Sequence, residues 1–210
     1  MLKRILIADD HSAVRSGVKH ILSQEFPTIE FGEAVNAPEV IKILKKSCWD
    51  VLILDVDLPG RSGLEILKQI RTEGMKLPVL VFSFHREDQL AVRALRAGAS
   101  GYLSKDAADT DLVTAINQLL SGRKYISASV AQLLASQFST ETVEESHNHL
   151  SDREYQIMLL IAQGNTVTEI SDNLSLSAST VSTYRSRILE KMNMKNNAEL
   201  MNYVIRRNMV

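Results

Sequence analysis

The segment Val51-Leu52-Ile53-Leu54-Asp55 places a carboxylate directly after four consecutive apolar residues. An apolar run of this length without alternation is typical of a strand that is buried on both faces of a parallel sheet. Comparable runs precede and follow it, and each leads into apolar residues at helical spacing. The five runs occupy residues 5–8, 29–34, 51–54, 79–82 and 102–103. This alternation predicts an α/β domain with a five-stranded parallel sheet and helices on both faces.

The carboxyl ends of these predicted strands carry acids, a hydroxyl and an amine. The residues are Asp9 and Asp10 after the first run, Asp55 after the third, Ser83 after the fourth and Lys105 after the fifth. Parallel strands end at one edge of the sheet, where such folds bind their ligands. Clustered carboxylates need a cation, and hard oxygen ligands favour Mg²⁺. A carboxylate beside the metal can attack phosphorus and form an acyl phosphate, while the hydroxyl and the amine bind the other phosphoryl oxygens.

The residues at this edge resemble the receiver domain of two-component response regulators. The resemblance rests on Asp9-Asp10, on residues 54–60 (LDVDLPG), on Ser83 and on residues 101–105 (GYLSK), and it covers roughly the first 125 residues. An acid at a strand end is often only a turn or cap residue, but that interpretation needs the same coincidence at every position. The resemblance implies a flavodoxin-like parallel sheet with strand order 2-1-3-4-5.

The resemblance also implies a role for each residue of the pocket. Asp55 would accept a phosphoryl group from a cognate histidine kinase. Mg²⁺ would be ligated by Asp10, by Asp55 and by the backbone carbonyl of Asp57, with Asp9 acting on the metal indirectly. The family varies at position 57, so Asp57 either alters the lifetime of the phosphoryl group or is a solvated turn residue. The implied phosphoryl-binding and switch residues are Ser83, Tyr102 and Lys105.

Four other residues have simpler interpretations. His11 adjoins the pocket, and we expect it to start a helix rather than to carry protons. Cys48, the only cysteine, stands beside Trp49 just before an apolar run, which predicts a buried packing role. Nothing in the sequence pairs His147 or His149 with other ligands, so we expect no metal site there.

The sequence pattern changes after Tyr125. Residues 1–125 are assigned to the receiver-like domain and residues 126–149 to a linker with one short helix, since residues 139–149 are polar, acidic and without periodicity. Residues 150–210 are predicted to be entirely α-helical, with four helix starts marked by capping side chains. These caps are Ser151 with Glu154, Thr166 with Glu169, Asn196 with Glu199, and Ser177.

Residues 179–192 form the candidate recognition helix of the helical domain. Apolar side chains fall on one face, and small hydroxyl-bearing side chains flanked by cations fall on roughly the opposite face. Such a surface suits the major groove of double-stranded DNA, because short polar groups approach base edges while Arg and Lys hold phosphates. The predicted DNA contacts are Ser179, Ser182, Thr183, Arg185, Ser186, Arg187 and Lys191.

Four segments of the predicted helical domain resemble the LuxR-type helix-turn-helix. They are residues 150–154 (LSDRE), 170–174 (ISDNL), 180–185 (TVSTYR) and 191–192 (KM). Together with the receiver they resemble the NarL/FixJ class of response regulators. The resemblance implies a transcriptional regulator that is phosphorylated, dimerises and binds paired DNA half-sites. It implies no enzyme activity beyond self-phosphorylation and slow autodephosphorylation. The chain departs from the family at Thr168 and Ser182, where Lys is common, and at Tyr184, where His is common. Fewer cationic side chains are therefore available to contact DNA.

Two alternatives remain open. Asp55-Val56-Asp57 contains the DxD of haloacid-dehalogenase-type phosphatases, but that class expects Thr or Val where Pro59 stands and places the motif on its first strand. Steady turnover of a phosphomonoester would favour it. The second alternative is a regulated scaffold whose helical domain binds protein, which failure to bind DNA at low salt would favour.

The composition argues against a membrane protein. Hydrophobic residues make up 45% of the chain and charged residues 23%, as in ordinary globular proteins. No uncharged apolar segment is long enough to span a bilayer, and the N-terminus shows no signal-peptide pattern. We therefore expect a cytoplasmic protein without a membrane partner.

Overall fold

The computed structural model describes residues 2–84, 87–139, 146–207 and 209. Contacts between Cα atoms divide the chain into two compact units, Met1–Leu133 and Leu134–Val210. The point of division falls within a helix, Ala128–Ser139, that lies in the predicted linker.

Within the described residues, the first unit alternates five strands with five helices. The strands are β1 (Lys3–Ala8), β2 (Ile29–Ala34), β3 (Val51–Leu54), β4 (Val79–Ser83) and β5 (Gly101–Ser104). The helices are α1 (Ser12–Glu25), α2 (Ala37–Lys46), α3 (Gly63–Thr72), α4 (Glu87–Arg96) and α5 (Asp109–Leu120). Neighbouring strands pair in parallel in the order β2-β1-β3-β4-β5. The predicted sheet and its strand order are confirmed.

The core of this unit explains why its central strands are uniformly apolar. Every residue of β3 is buried, and so are residues 5–8 of β1. Helices α1 and α5 contribute Val18, Leu22, Leu112 and Ile116 to the same cluster as the strand side chains. A strand covered on both faces has no solvent side, so the alternation of half-exposed strands is missing.

Trp49 precedes β3, at the amino end of that strand. A Cβ atom on Gly32 would lie 2.2 Å from the Trp49 ring, so the indole fills space that a side chain on β2 would need. The guanidinium of Arg4 lies over the indole, with its Cζ 4.5 Å from the ring centroid. The prediction that Cys48 is buried is wrong, since Cys48 is exposed. Its neighbour Trp49 takes the position against the sheet instead.

The second unit is helical in all its described elements. Helix α6 (Ala128–Ser139) crosses the point of division, and a short 3₁₀ helix (Ser146–His149) precedes the remaining helices. These are α7 (Asp152–Ala162), α8 (Val167–Leu174), α9 (Ala178–Lys191) and α10 (Asn197–Arg206). Helix α9 contacts both α7 and α8, which is the arrangement expected of a compact helix-turn-helix.

The capping residues begin the helices as the sequence predicts. Ser151 and Thr166 each form a complete capping box, in which the hydroxyl and the following Glu satisfy two backbone amides. Ser177 caps α9, and Asn196 caps α10. At α10 the Glu three residues on accepts from the amide of Lys195 rather than from that of the cap. The four predicted helix starts are confirmed, and one of the return bonds differs.

The predicted linker is more structured than its composition indicates. Helix α6 confirms the predicted short helix, and residues 140–145 lie outside the described residues. The 3₁₀ helix that follows belongs to the second unit, and His147 within it is only 3% exposed. Its Nδ1 lies 2.7 Å from the hydroxyl of Tyr203, and its ring is 6.1 Å from that of Tyr155. These long-range aromatic contacts leave no periodic signal, so the polar sequence alone predicted an open segment.

Among the described residues, no helix combines the length and the hydropathy that crossing a membrane would require.

Candidate functional site

The register of the sheet brings the acids together at one edge. Ala8 of β1 pairs with Leu54 of β3, so the residues that follow, Asp9 and Asp55, are neighbours. The Asp55 amide donates to the Ala8 carbonyl at 2.9 Å. Both carboxylates are almost fully buried, whereas the side chain of Asp10 is 29% exposed. The three acids therefore form a pocket that opens to solvent on the side of Asp10.

Lys105 closes the buried side of this pocket. Its Nζ lies 2.6 Å from Asp9 Oδ2 and 2.8 Å from Asp55 Oδ2, and only 3% of its side chain is exposed. The Lys105 amide donates to the carbonyl of Ser83. The pairing of β4 with β5 therefore fixes the position of Lys105 relative to the end of β4. One ammonium thus faces three carboxylates, and a divalent cation would restore the charge balance. The ligand atoms of the acids and His11 lie within 4.8 Å of one another, which fits a single cation.

Burial shifts the protonation of the central carboxyl group. Desolvation and the charge of Asp57 raise the pKa of Asp55 to about 7, although Lys105 opposes the shift. Burial also disfavours the charged form of Lys105, but the neighbouring Asp55 and Asp9 outweigh it and raise the lysine pKa above its ordinary value. Lys105 is therefore charged at neutral pH, and Asp55 binds a proton more readily than an exposed aspartate does.

The predicted switch residues lie on the adjacent strands. Ser83 ends β4 and is fully buried, and Tyr102 on β5 is 1% exposed and pairs in register with Val81. Next to Ser83, the ring of Phe84 is exposed and lies 5.0 Å from the Lys105 Nζ.

The loop after β3 wraps closely around the acceptor. The Asp57 amide donates to Asp55 Oδ1 at 3.2 Å, so Asp57 is both a charge and a hydrogen-bond donor beside the acceptor. Gly63, which begins α3, lies against the same residue, because a Cβ atom there would be 2.0 Å from the Asp55 carbonyl oxygen. Sequence reasoning missed Gly63, since a glycine eight positions after an acid carries no distinctive signal.

His11 lies closer to the acids than its sequence position indicated. It is the N-cap residue of α1, as predicted, but its side chain makes no capping bond. Its Nδ1 lies 2.8 Å from Asp10 Oδ1 and 3.3 Å from Asp9 Oδ1. The imidazole therefore borders the open side of the pocket.

The outer face of α9 carries most of the predicted DNA contacts. Val181 and Ile188 are fully buried on the inner face, and Tyr184 is half-buried. The exposed predicted contacts are Ser179, Ser182, Thr183, Ser186, Arg187 and Lys191. This distribution agrees with the predicted division of the helix into a packing face and a free face.

Two predicted DNA contacts also hold α9 in place. Arg185 Nε donates to Asn197 Oδ1 of α10 at 2.6 Å. Lys191 Nζ donates to Glu154 Oε2 of α7 at the same distance, and this glutamate is nearly fully buried. Burial disfavours ionised Glu154, but hydrogen bonds from Lys191 and Ser151 outweigh it and hold the pKa below its ordinary value. Both cations thus join the recognition helix to its neighbours.

Comparison with known protein families agrees with both halves of the chain. Residues 5–117 match the family described as response regulator receiver domain. Residues 148–204 match the family described as bacterial regulatory proteins, luxR family. The second match begins within the 3₁₀ helix, after the buried His147.

Curated relatives cover nearly the whole chain. Response regulator UvrY of Escherichia coli strain K12 is 38% identical over 203 residues, which are 96% of this chain and 93% of the relative. Response regulator GacA of Pseudomonas aeruginosa is 36% identical over 208 residues, covering 99% of this chain and 97% of the relative.

Solved structures show the same architecture. RcsB from Salmonella enterica serovar Typhimurium, bound to promoter rprA in the presence of phosphomimetic BeF3⁻, is 27% identical with a TM-score of 0.64. The match covers 96% of this chain and 98% of that one. A LuxR-family response regulator from Aurantimonas sp. SI85-9A1 is 33% identical with a TM-score of 0.60, over 67% of this chain and all of that one. The chain therefore belongs to the two-component response regulators that join a receiver domain to a LuxR-type helix-turn-helix, the NarL/FixJ class.

Proposed function

We propose that the chain is a transcriptional regulator switched by phosphorylation of Asp55. The observation that carries this proposal is the buried ammonium of Lys105, which contacts both Asp55 and Asp9 at the carboxyl edge of the sheet. A lysine fixed at this place can pair with a phosphoryl oxygen as soon as Asp55 is modified. The donor is a phosphohistidine of a cognate kinase.

The transfer step uses groups that are already in place. A carboxylate oxygen of Asp55 attacks the phosphorus, and the bond between phosphorus and the donor nitrogen breaks. Lys105 then pairs with a phosphoryl oxygen, and the Ser83 hydroxyl donates to another. The residues that would hold Mg²⁺ are Asp10, Asp55 and the backbone carbonyl of Asp57, with Asp9 acting indirectly. When bound, the ion supplies positive charge that offsets the negative charge on the transferring group.

The chemistry of this pocket is limited to forming the acyl phosphate and hydrolysing it slowly. We propose self-phosphorylation and slow autodephosphorylation at Asp55 and no steady turnover of phosphomonoesters. The DxD motif follows the third strand in the chain, whereas the dehalogenase-type phosphatases place theirs on the first strand.

The helical unit binds double-stranded DNA under this proposal. Ser182, Thr183 and Ser186 approach base edges, and Arg187 contacts phosphates. A monomer with few cationic contacts binds weakly and in a salt-sensitive manner. Phosphorylation promotes a homodimer, which raises the effective concentration of the second helical unit and demands two half-sites. A protein with this partner acts in the cytoplasm.

The phosphorylation test uses acetyl phosphate and Mg²⁺ with the full chain. The mass of the intact protein should increase by one base-labile phosphoryl group, and Asp55→Asn should remain unmodified. Asp57→Asn is the matched control, because it removes a neighbouring acid and leaves the acceptor. Labelling of Asp55→Asn at the level of the unmodified sequence would overturn the assignment.

The DNA test is a salt-titrated binding isotherm on genomic fragments. Phosphorylated protein should bind paired sites tightly and unphosphorylated protein weakly. Absence of any DNA affinity at low salt, with normal phosphorylation, would favour the alternative in which the helical unit binds protein.

A further inference from the structure

Arg15 connects three parts of the first unit around the loop that carries the acids. It lies in the first turn of α1, and only 12% of its side chain is exposed. Its Nη1 donates to the backbone carbonyls of Asp9 at 2.8 Å and Asp10 at 3.1 Å. Its Nε donates to Glu33 Oε2 of β2 at 2.6 Å. One guanidinium thus fixes the two peptide groups of the β1–α1 loop relative to the edge strand.

The two acids of this loop are restrained to different degrees. The Asp9 carboxylate is buried and contacts Lys105, so its position follows from the core. The Asp10 side chain is 29% exposed, and burial restrains it much less. The orientation of its carboxylate therefore depends on the contact with His11 Nδ1 at 2.8 Å and on the backbone that carries it, and Arg15 holds the carbonyl of that residue.

The charge of Arg15 is balanced away from the pocket. Glu33 accepts from Arg15 and also forms an ion pair with Lys19 of α1. Hydrogen bonds from Lys19 and Arg15 hold the pKa of Glu33 below its ordinary value, so the carboxylate stays ionised at neutral pH. Arg15 thus contributes geometry to the pocket while Glu33 offsets the positive charge that would otherwise repel a cation.

We propose that Arg15 is a positioning residue for the Mg²⁺ site, which presets the Asp10 carboxylate by holding the peptide groups of Asp9 and Asp10. This inference rests on the proposed metal-dependent phosphorylation. A planar guanidinium can serve two carbonyls and a carboxylate at once because its donors point in fixed directions, and a lysine ammonium cannot reproduce that pattern. Outer partners of metal ligands act in this way in many metal sites.

The test compares Arg15→Ala and Arg15→Lys with Lys19→Ala in the full chain. Lys19 shares the Glu33 carboxylate and, among the described residues, makes no hydrogen bond to the two carbonyls, so it is the matched control. Mg²⁺ affinity is measured by calorimetric titration with MgCl₂ alone. We expect both Arg15 variants to lose roughly tenfold in affinity, as for other outer partners of metal ligands, and Lys19→Ala to keep it.

Phosphorylation by acetyl phosphate gives an independent readout. The Mg²⁺ concentration for half-maximal rate should rise in both Arg15 variants, while the rate at saturating Mg²⁺ stays near that of the unmodified sequence. Thermal denaturation in EDTA shows which variants fold. If Arg15→Ala does not fold, the Mg²⁺ affinity of Arg15→Lys tests the proposal. Unchanged Mg²⁺ affinity in a folded Arg15 variant, or an equal loss in Lys19→Ala, would overturn the proposal. Failure of the unmodified sequence to bind Mg²⁺ would instead contradict the metal site itself.

Discussion

Asp55 is held at a cost to the stability of the folded chain. Its carboxyl pKa is 3.8 in the absence of neighbours and about 7 in the folded protein. Between these values the folded state binds more protons than the unfolded state, so stability falls as pH rises through this window. Asp55→Asn removes that loss. We expect the variant to be more stable than the unmodified chain by up to about 4 kcal/mol near pH 8, since one pKa unit corresponds to about 1.4 kcal/mol.

The measurement is thermal denaturation in EDTA at several pH values. The difference between the two proteins should be small near pH 4 and should grow toward pH 8. Added MgCl₂ should raise the melting temperature of the unmodified chain and leave that of Asp55→Asn nearly unchanged. A difference that does not vary with pH would contradict the raised pKa.

Two glycines of the first unit should respond to alanine in opposite ways. A Cβ atom at Gly63 would meet the Asp55 carbonyl, whereas a Cβ atom at Gly17 in α1 would meet no heavy atom within 4 Å. We expect Gly63→Ala to cost about 1–3 kcal/mol through overpacking and to slow phosphorylation, because the acceptor backbone must shift. Gly17→Ala should stabilise the helix by up to about 1 kcal/mol. Urea denaturation and acetyl phosphate labelling measure both; equal effects of the two changes would show that the close approach at Gly63 is unimportant.

At this scale the sequence predicted the side chains that end strands and missed those that act through the backbone. The topology alone places Asp9, Asp55 and Lys105 at one edge. Gly63 and Arg15 touch carbonyl groups, which every residue possesses, so their contacts depend on distances that no motif encodes. The contact between His11 and Asp10 likewise follows from the local path of the loop.

Helix α9 must be both anchored and available to DNA. Lys191 pairs with the buried Glu154 of α7, so its removal leaves a buried carboxylate without its cation. We expect Lys191→Ala to destabilise the contact between α7 and α9 by about 1–2 kcal/mol. A hydrogen bond to a charged group contributes about 1.5–3 kcal/mol, and solvent screens the partly exposed Lys191. Hydrogen–deuterium exchange localised to α9 measures the loss. Arg187→Ala is the matched control, because Arg187 lies on the same helix and makes no ion pair among the described residues.

The two substitutions should also differ in their effect on DNA binding. Arg187→Ala should weaken binding to all sequences and reduce its salt dependence without faster exchange in α9. Lys191→Ala should weaken DNA binding and also speed hydrogen–deuterium exchange in α9. Unaltered exchange in Lys191→Ala would mean that its ion pair with Glu154 does not hold the helix.

Elements were predictable where a local signal exists. A capping box is a sequence pattern of only four residues, so it can be recognised locally. Each predicted start of α7 to α10 is found in the structure. Strands covered on both faces are visible as apolar runs. The 3₁₀ helix at Ser146–His149 has neither signal, because its burial depends on Tyr155 and Tyr203, which follow it in the chain.

At the scale of the whole molecule, the second unit begins earlier than the sequence indicated. The predicted domain starts at residue 150, but His147 is buried against Tyr203. A fragment of residues 146–210 should therefore be more stable than one of residues 150–210, by about 1–3 kcal/mol, because the shorter fragment loses a buried contact and a hydrogen bond. Circular dichroism during thermal denaturation measures the difference.

His147→Ala in the longer fragment is the control for this prediction. It should lose most of the same stability while keeping the full chain length. Both fragments, once folded, should bind the same DNA weakly. Equal melting temperatures of the two fragments would show that the 3₁₀ helix adds nothing to the helical unit.

The position of the only tryptophan gives this protein a selective spectroscopic reporter. Trp49 is packed against Gly32 and beneath Arg4 within the first unit, and the helical unit contains tyrosines and one phenylalanine but no tryptophan. Selectively excited indole emission therefore responds to changes around Trp49 in the first unit, and changes confined to α9 do not alter it. A change in that emission when DNA binds would be a direct optical signal of communication between the two units.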